Sequence, residues 1–431
     1  MSNFKYDVAI IGGGIGGLMA AYRLCRNIPD IKIVITERGN TLENRHCPAG
    51  KNNTCVHCRH CSITSGYAGA GAFSDGKFNL GTAYGGTLGE ELGDDTANKY
   101  IDEVDKILNE YCTSGEPTVY KSNESLKLKC LQNNLRLLDM NVKHLGTDKN
   151  YLTMQNLIRA LADDGVEMLA FYDCEKVEKH DGGGYTLYYT NGEKIEAEKI
   201  IIATGRGGAN FVADFCRSFG VKMRSNYVDI GVRVEMKDII WREFSDRIYE
   251  PKILYRTKTF EDRCRMFCFN KGGLVSAENN HGIITANGHS FADPAKKTDN
   301  CNFAILSSIR FTEPFDQPTE YAESISRLAN MIGKGNVLVQ RFGDLVRGRR
   351  TNDHRLGQNT VIPTLKATSG DISLVLPHRI LTNIIETIYA LDKVAPGTAN
   401  DDTLLYGCES KYYSIRPVFM NEKFELTDNV Y

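Results

Sequence analysis

Near its start the chain carries an unbroken apolar run, Val8-Ala-Ile-Ile11. It passes through Gly12-Gly-Gly14-Ile-Gly-Gly17 into Leu18-Met-Ala-Ala21. A short apolar run ending at glycine fits a strand buried on both faces of a parallel sheet. The pattern therefore predicts strand, sharp turn and helix in direct succession. A second run over residues 32–37 predicts another such strand, ending in Glu37. Residues 171–179, 185–191 and 193–197 alternate as half-buried strands do, and Asp181-Gly-Gly-Gly184 and Asn191-Gly192 lie between them, which predicts a three-strand meander. A further buried strand is expected over 199–205, closing on Ala203-Thr204-Gly205. Helical periodicity marks residues 94–111, with an acidic first turn, and 152–161; both helices are expected to pack on the first sheet.

From about residue 226 the pattern changes to alternations such as Val228-Asp-Ile-Gly-Val-Arg-Val234 and Arg265-Met-Phe-Cys-Phe269, which predict strands of a second, mixed sheet. Helices are expected near residues 320–332 and 381–391, with Pro396-Gly397 turning the chain out of the latter. No internal repeat or low-complexity segment is visible. At 431 residues the chain is about three times the ~150-residue domain prior. The expected division is a first unit over 1–220, a substrate domain over 221–400, and a return to the first unit over 401–431.

Composition narrows the class. With 42% hydrophobic and 25% charged residues and a mean hydropathy of -0.33, disorder and collagen-like structure are excluded. Basic and acidic side chains nearly cancel, 52 against 54, so no global field draws the chain to nucleic acid or anionic lipid. No segment is long and apolar enough to span a bilayer. The first apolar stretch lacks the basic leader and cleavage site of a signal peptide. The 13 cysteines, an odd number, argue for reduced thiols, so a cytoplasmic location without a disulfide framework is expected.

The glycines carry the first chemistry. Gly12, Gly14 and Gly17 occupy the three positions of G-x-G-x-x-G between strand and helix. Gly12 allows the turn, Gly14 lets a pyrophosphate approach the backbone, and Gly17 lets the helix lie close on the strand. Glu37 can accept the hydroxyls of an adenosine ribose. Dinucleotide binding follows. FAD and NAD share this fingerprint, but a strand ending in Ala-Thr-Gly after a meander resembles the FAD domain of two-dinucleotide-fold flavoproteins. No second G-x-G-x-x-G occurs, so a separate NAD domain is not expected.

Cys55-Val-His-Cys58-Arg-His-Cys61 has the C-x2-C-x2-C pitch at which three thiolates can face one point, and Cys47 lies upstream. A [4Fe-4S] cluster, zinc (with His46, His57 or His60 as substitutes), a redox dithiol and thiols with no shared role all remain open. Next comes Gly66-Tyr-Ala-Gly69-Ala-Gly71-Ala-Phe-Ser74-Asp75-Gly76-Lys77-Phe-Asn79. Its small residues permit close approach to a planar ring, and Ser74, Lys77 and Asn79 supply donors. A donor near the flavin N1 and C2 carbonyl would stabilise the anionic reduced form. Arg347, Arg349, Arg350 and Arg355 form the densest basic cluster, able to meet a phosphate or an acidic substrate.

Four blocks carry a wider resemblance. They are Gly69-Ala-Gly-Ala-Phe-Ser-Asp-Gly-Lys77, Gly282-Ile-Ile-Thr-Ala-Asn287-Gly288-His-Ser290, Gly370-Asp371-Ile-Ser373-Leu-Val-Leu-Pro377, and Gly407-Cys-Glu409 with Ser414-Ile-Arg416. In these the chain resembles the FAD-dependent dehydrogenase-like proteins of bacteria, a poorly characterised flavoprotein group. The resemblance implies an α/β fold: a Rossmann-like FAD domain with parallel sheet and β-meander, and an inserted mixed-sheet α+β substrate domain. It implies that Gly12, Gly14, Gly16, Gly17, Glu37 and Arg38 bind the ADP part. Gly71, Ser74, Asp75, Gly76, Lys77 and Asn79 would then line the isoalloxazine, with Ala203, Thr204, Gly205 and Arg416 completing the cofactor set. Such flavoproteins close with a strand leading to a Gly-Asp pair. Here residues 424–431 resemble that strand and no Gly-Asp follows, so a fragment with weak flavin retention is expected.

The leading expectation is an FAD-dependent oxidoreductase moving a hydride or electron pair between flavin and a small organic substrate. His289, His281 and Glu409 are the candidate acid-base groups. The alternatives are an electron-transfer protein in which Cys47, Cys55, Cys58 and Cys61 hold a cluster serving a donor protein, an RNA-modifying flavoprotein, and a non-catalytic FAD-stabilised binding protein. Nucleic acid is the less favoured partner.

Overall fold

In the computed structural model, residues 4–48, 56, 58–74, 76–83, 86–113, 115, 117–138, 141–224, 227–280, 282–291, 293–311, 314–315, 317–412 and 416–431 are described. The first apolar run forms strand β1 (Tyr6–Ile11), almost wholly buried, and the glycines turn it into helix α1 (Ile15–Asn27). Strand β2 (Ile33–Glu37), buried throughout, lies parallel to β1 on one side, and Lys194–Ile202 lies parallel on the other. Glu167–Ala170 extends the sheet beyond β2, while Tyr185–Tyr189 and Cys174–Lys179 add antiparallel strands, giving six in all.

The meander differs from expectation in one respect. Its third strand and the buried strand expected after it are a single strand, Lys194–Ile202. Ala197 is the hinge of pairing: it faces Tyr185 in the antiparallel register and Tyr6 in the parallel one. The strand changes partner without changing direction, so no break is needed. Residues 429–431 pair with it too, through Ile200 N–H to Asn429 O at 3.0 Å and Tyr431 N–H to Ile200 O at 2.9 Å.

The two expected helices are present as Asp94–Glu110 and Thr147–Asp163. With α1 they bury Leu18, Ile107, Leu108, Leu157 and Leu161 against Val8, Ile10, Ile33 and Ile35. Each fully buried aliphatic chain of this kind contributes on the order of 1.5–3 kcal/mol.

The second sheet has eight strands, in the order Thr368–Ser369, Leu338–Arg341, Leu404–Tyr412, Tyr227–Lys237, Asn300–Arg310, Arg263–Asn270, Ile253–Arg256 and Leu135–Leu137. Two members differ from the expected division of the chain. Leu404–Tyr412 was expected to return to the first unit, yet it pairs with Tyr227–Lys237 near the sheet centre. Leu135–Leu137, from within the 1–220 segment, forms its edge.

Tyr227–Lys237 explains why the alternation read correctly and yet incompletely. Val228, Ile230, Val232, Val234 and Met236 join a core with residues of Pro318–Ile332 and His378–Asp392. Asp229, Arg233 and Glu235 alternate with them on the opposite face. That face is buried as well: Arg233 lies against Asn287 of the hairpin Leu274–Asn280 and Ile283–His289, Glu235 against Thr364, Tyr406 and Asn300, and Asp229 against Ser308 and Arg265. A third sheet of Lys77–Leu80, Asn141–His144 and Val119–Tyr120 stands at the junction of the two larger ones. Among the described residues, no helix is long and apolar enough to cross a membrane.

Candidate functional site

The glycine turn is built for close approach. Gly12 has φ +111°, and a Cβ there would lie 2.4 Å from Ala203 O. A Cβ on Gly17 would lie 2.1 Å from Gly12 O, so α1 rests directly on the turn. Gly14 is different: its nearest neighbour would be Gly69 Cα at 3.8 Å, which leaves the start of α1 open. No side chain caps that start. The first-turn N–H groups of a helix attract anions through both hydrogen bonding and the helix dipole. Gly16 lies on the same turn, where a Cβ would stand 4.0 Å from the Ala203 side chain. Thr204 Oγ1 is buried with no hydrogen-bond partner, a group that a bound molecule can satisfy. These features fit a dinucleotide.

Glu37, at the end of β2, is buried and accepts three backbone amides at 2.9 Å, from Gly13, Gly39 and Gly66. It therefore ties the glycine turn to the next loop. Arg38 bridges two loops, donating to Ser65 Oγ at 2.9 Å and to Gly207 O at 3.0 Å. Arg45, unnoticed in the sequence, organises the loop ahead of Ser74. Its guanidinium gathers the carbonyls of Ser62, Ile63, Tyr67 and Gly69 at 2.6–2.9 Å and lies over the Phe73 ring. Burial lowers its pKa to about 10, so it stays a cation at neutral pH.

Together these ties place Gly71, Ser74, Lys77 and Asn79 along one wall of a pocket of about 440 Å³, whose other lining includes Ile15 at the start of α1 and Tyr100, Val104 and Leu108 of the helix Asp94–Glu110. Gly71 has open space around it, Ser74 Oγ donates to Gly71 O at 2.7 Å, and Asn79 is exposed. Gly76, with φ +67°, has no room for a side chain beside Asn150 and Leu145. Gly205, at φ +59°, opens the turn beside Arg38. Arg416 pairs with Glu90 and Glu91 at 2.7–2.8 Å, on the short helix Leu88–Leu92 that reaches the pocket through Leu88. Asp75 lies outside the described residues.

Lys77 points away from the pocket wall toward the second sheet. Its ammonium donates to Phe269 O at 2.9 Å and Asn270 Oδ1 at 3.4 Å, and pairs with Glu250 at 3.4 Å. From there a polar network runs inward. Asn270 donates to Cys268 O, which also accepts from Arg233; Arg233 reaches Asn287 Oδ1 at 2.9 Å and Glu409 at 3.0 Å. Glu409 also pairs with Lys411 at 3.2 Å and has no solvent exposure. This candidate acid thus stands between two cations. Lys252, buried against Glu250, has its pKa lowered by burial, opposed by that carboxylate.

The other candidates lie elsewhere. His289 ends the hairpin strand, with its ring edge-on to Phe291 at 4.6 Å, and does not line the pocket. His281 and Cys55 lie outside the described residues. Cys47 and Cys58 are exposed and Cys61 half-buried. His60 faces Asp173 at 3.8 Å. Among the described residues no three His, Cys, Asp or Glu side chains converge on one point. The basic cluster is paired in part: Arg349 and Arg355 share buried Asp344 at 2.7 and 3.1 Å, Arg347 pairs with Asp401 at 2.8 Å, and Arg350 donates to Ser369 O.

The sequence reading missed His144 and Tyr249. The Tyr249 hydroxyl lies 2.7 Å from His144 Nε2, and His144 is the cross-strand partner of Lys77. Neither lies in a recognisable motif.

Residues 228–412 match the family described as FAD-dependent protein, C-terminal domain-like, and residues 10–67 match the NAD(P)-binding Rossmann-like domain. No curated protein matches. Solved structures that match include glycine oxidase from Geobacillus kaustophilus, with 10% identity, 96% of this chain and 83% of that one covered, and a TM-score of 0.38. Another is the halogenase PltM in complex with phloroglucinol and FAD, with 14% identity, coverage of 74% and 55%, and a TM-score of 0.34. A third is the Diels-Alderase PyrE3 of pyrroindomycin biosynthesis, with 12% identity, coverage of 73% and 51%, and a TM-score of 0.33. The chain spans about half the length of the latter two.

Proposed function

We propose, from the premise that this chain belongs with the FAD-dependent flavoproteins and takes FAD as its cofactor, that it is an oxidoreductase acting on a small organic substrate. Bound FAD supplies a two-electron acceptor or donor. The turn Gly12–Gly17 and Glu37 are assigned to the ADP part, with Arg38 and Thr204 beside them. Gly71, Ser74, Lys77 and Asn79 are assigned to the flavin end. The observation that carries this reading is Lys77, which lines the pocket and whose ammonium is bonded into the second sheet at Phe269, Asn270 and Glu250. One side chain thus joins the loop assigned to flavin to the domain assigned to substrate. The second domain offers polar and ionisable groups there, and the 440 Å³ pocket lies within the ordinary range for small-molecule sites.

Residues of this chain would orient the substrate, exclude water and move its proton. The test is anaerobic mixing of the FAD-loaded chain with glycolate, glycine, benzyl alcohol, benzylamine and reduced nicotinamide. Bleaching of the oxidised flavin band by at least one donor is expected. Failure of all of them, with dithionite still reducing the flavin, would favour a binding protein.

A further inference from the structure

We infer that Tyr249, oriented by His144, is the side chain that exchanges the substrate's proton at this site; the inference rests on the oxidoreductase reading above. The Tyr249 hydroxyl and His144 Nε2 are 2.7 Å apart, and their rings lie 4.4 Å apart between centroids. His144 stands directly across from Lys77 in the antiparallel register, so both side chains leave the same face of that sheet. The Lys77 ammonium is 5.9 Å from the centre of the Tyr249 ring, and Glu250, the next residue, pairs with Lys77. The pair therefore stands beside the lysine that joins the pocket to the second sheet. Both residues are half-buried; neither is in the lining of the 440 Å³ pocket, and Lys77 is the residue that joins them to it.

The backbone at Tyr249 is a second observation. With φ +58° and ψ −59°, it is the centre of a tight turn closed by Glu250 N–H to Ile248 O at 2.6 Å. A non-glycine residue rarely adopts this conformation, which persists only where its surroundings over-determine it. Burying an aromatic ring needs no such strain. Here the turn brings the hydroxyl to His144 while the ring lies against Tyr120, with centroids 4.8 Å apart.

The chemistry balances. Bound FAD would accept the C–H electron pair of a CH–OH or CH–NH donor as hydride, while the donor's O–H or N–H bond breaks toward the Tyr249 oxygen. The tyrosine's own proton passes to His144 Nε2, and the donor is left with C=O or C=N. Tyr249 is the catalytic residue and His144 the positioning one. The charged and titratable groups beside the pair include Lys77 and Tyr120, with Glu250 and Lys252 paired behind Lys77.

The test uses the full chain. Tyr249→Phe keeps the ring stack and removes the hydroxyl; His144→Gln keeps a hydrogen bond and removes the proton acceptor. In the FAD-free chain, the His144 ring-nitrogen resonances, identified by their loss in H144Q, should titrate differently in Y249F and wild type. In the FAD-loaded chain, both variants should slow flavin reduction by the most active of glycolate, glycine, benzyl alcohol and benzylamine by roughly 100-fold. The inflection in the wild-type rate–pH profile should vanish in both, with FAD affinity within about threefold of wild type. Unchanged rates and profiles in Y249F overturn the role while leaving the oxidoreductase reading intact, and identical His144 titrations overturn the coupling. Failure of every donor to reduce the wild type overturns the oxidoreductase reading and this role with it.

Discussion

Arg233 and Glu409 face each other from adjacent strands of the second sheet with Nε 3.0 Å from the carboxylate, and neither side chain touches solvent. Removing two charges from water costs several kcal/mol per ion, which their attraction offsets only with good additional hydrogen bonds. Only the arginine has them: Arg233 also donates to Cys268 O and Asn287 Oδ1 at 2.9 Å, whereas both Glu409 oxygens are held by charge alone, from Arg233 and from Lys411 at 3.2 Å.

Arg233→Ala should therefore destabilise the chain by about 3–5 kcal/mol, because it leaves a buried carboxylate short of its main partner. The double replacement Arg233→Met with Glu409→Leu should be milder than the single one. Urea unfolding measures both. A loss under about 1 kcal/mol in Arg233→Ala would mean that Lys411 alone compensates the acid.

The two glycines of the turn should separate fold from cofactor. A Cβ at Gly17 meets Gly12 O at 2.1 Å, so Gly17→Ala must push α1 off the turn at a cost of about 1–3 kcal/mol or more. At Gly14 the nearest atom would be 3.8 Å away and φ is −75°, so Gly14→Ala should leave the FAD-free melting temperature within about 2 °C of wild type. With the turn assigned to the pyrophosphate, the added methyl would stand in its path, and FAD affinity should fall at least tenfold. Unaltered FAD binding in Gly14→Ala would place the phosphates elsewhere.

The same residues show what a sequence can reveal. Gly12 and Gly17 were legible because the fit of helix on turn is local and tied to a fixed spacing, whereas Glu37 was expected to meet a ribose and its three amide contacts carry no sequence signal. The alternation in Val228-Asp-Ile-Gly-Val-Arg-Val234 announced a strand, but period two says only that alternate residues share a face. That Arg233, on the other face, is buried depends on a hairpin some 40 residues later in the chain coming to meet it. Arg45 was invisible for a similar reason: its partners are backbone carbonyls, which carry no residue signature. His144 and Tyr249 meet across more than a hundred residues, through a strand pairing with Lys77 and one strained turn.

Glu37→Gln should weaken both stability and cofactor binding. One carboxylate oxygen takes the Gly39 and Gly66 amides and the other takes Gly13, so a glutamine must turn its NH2 toward at least one N–H donor. A buried amide left unpaired costs about 1–3 kcal/mol. Because Gly13 belongs to the turn itself, FAD affinity should drop about tenfold as well. Thermal melts with and without FAD separate the two effects. Loss of stability without loss of affinity would confine Glu37 to holding the loops.

Glu235 predicts a pH dependence of stability. It is fully buried, and burial raises its pKa despite hydrogen bonds from Thr364, Tyr406 and Asn300. The folded carboxyl thus holds its proton more tightly than the unfolded one. Its contribution is fully present below the unfolded pKa and is lost as pH rises through the folded pKa. Glu235→Gln removes this titration and can still accept from Thr364 and Tyr406. Its NH2 can meet Asn300 Oδ1, which is buried without a partner. Denaturant midpoints measured from pH 4 to 8 should therefore show wild type losing stability relative to Glu235→Gln as pH rises. Parallel curves would mean that the hydrogen-bond donors hold the carboxylate ionised, and that burial does not control its proton.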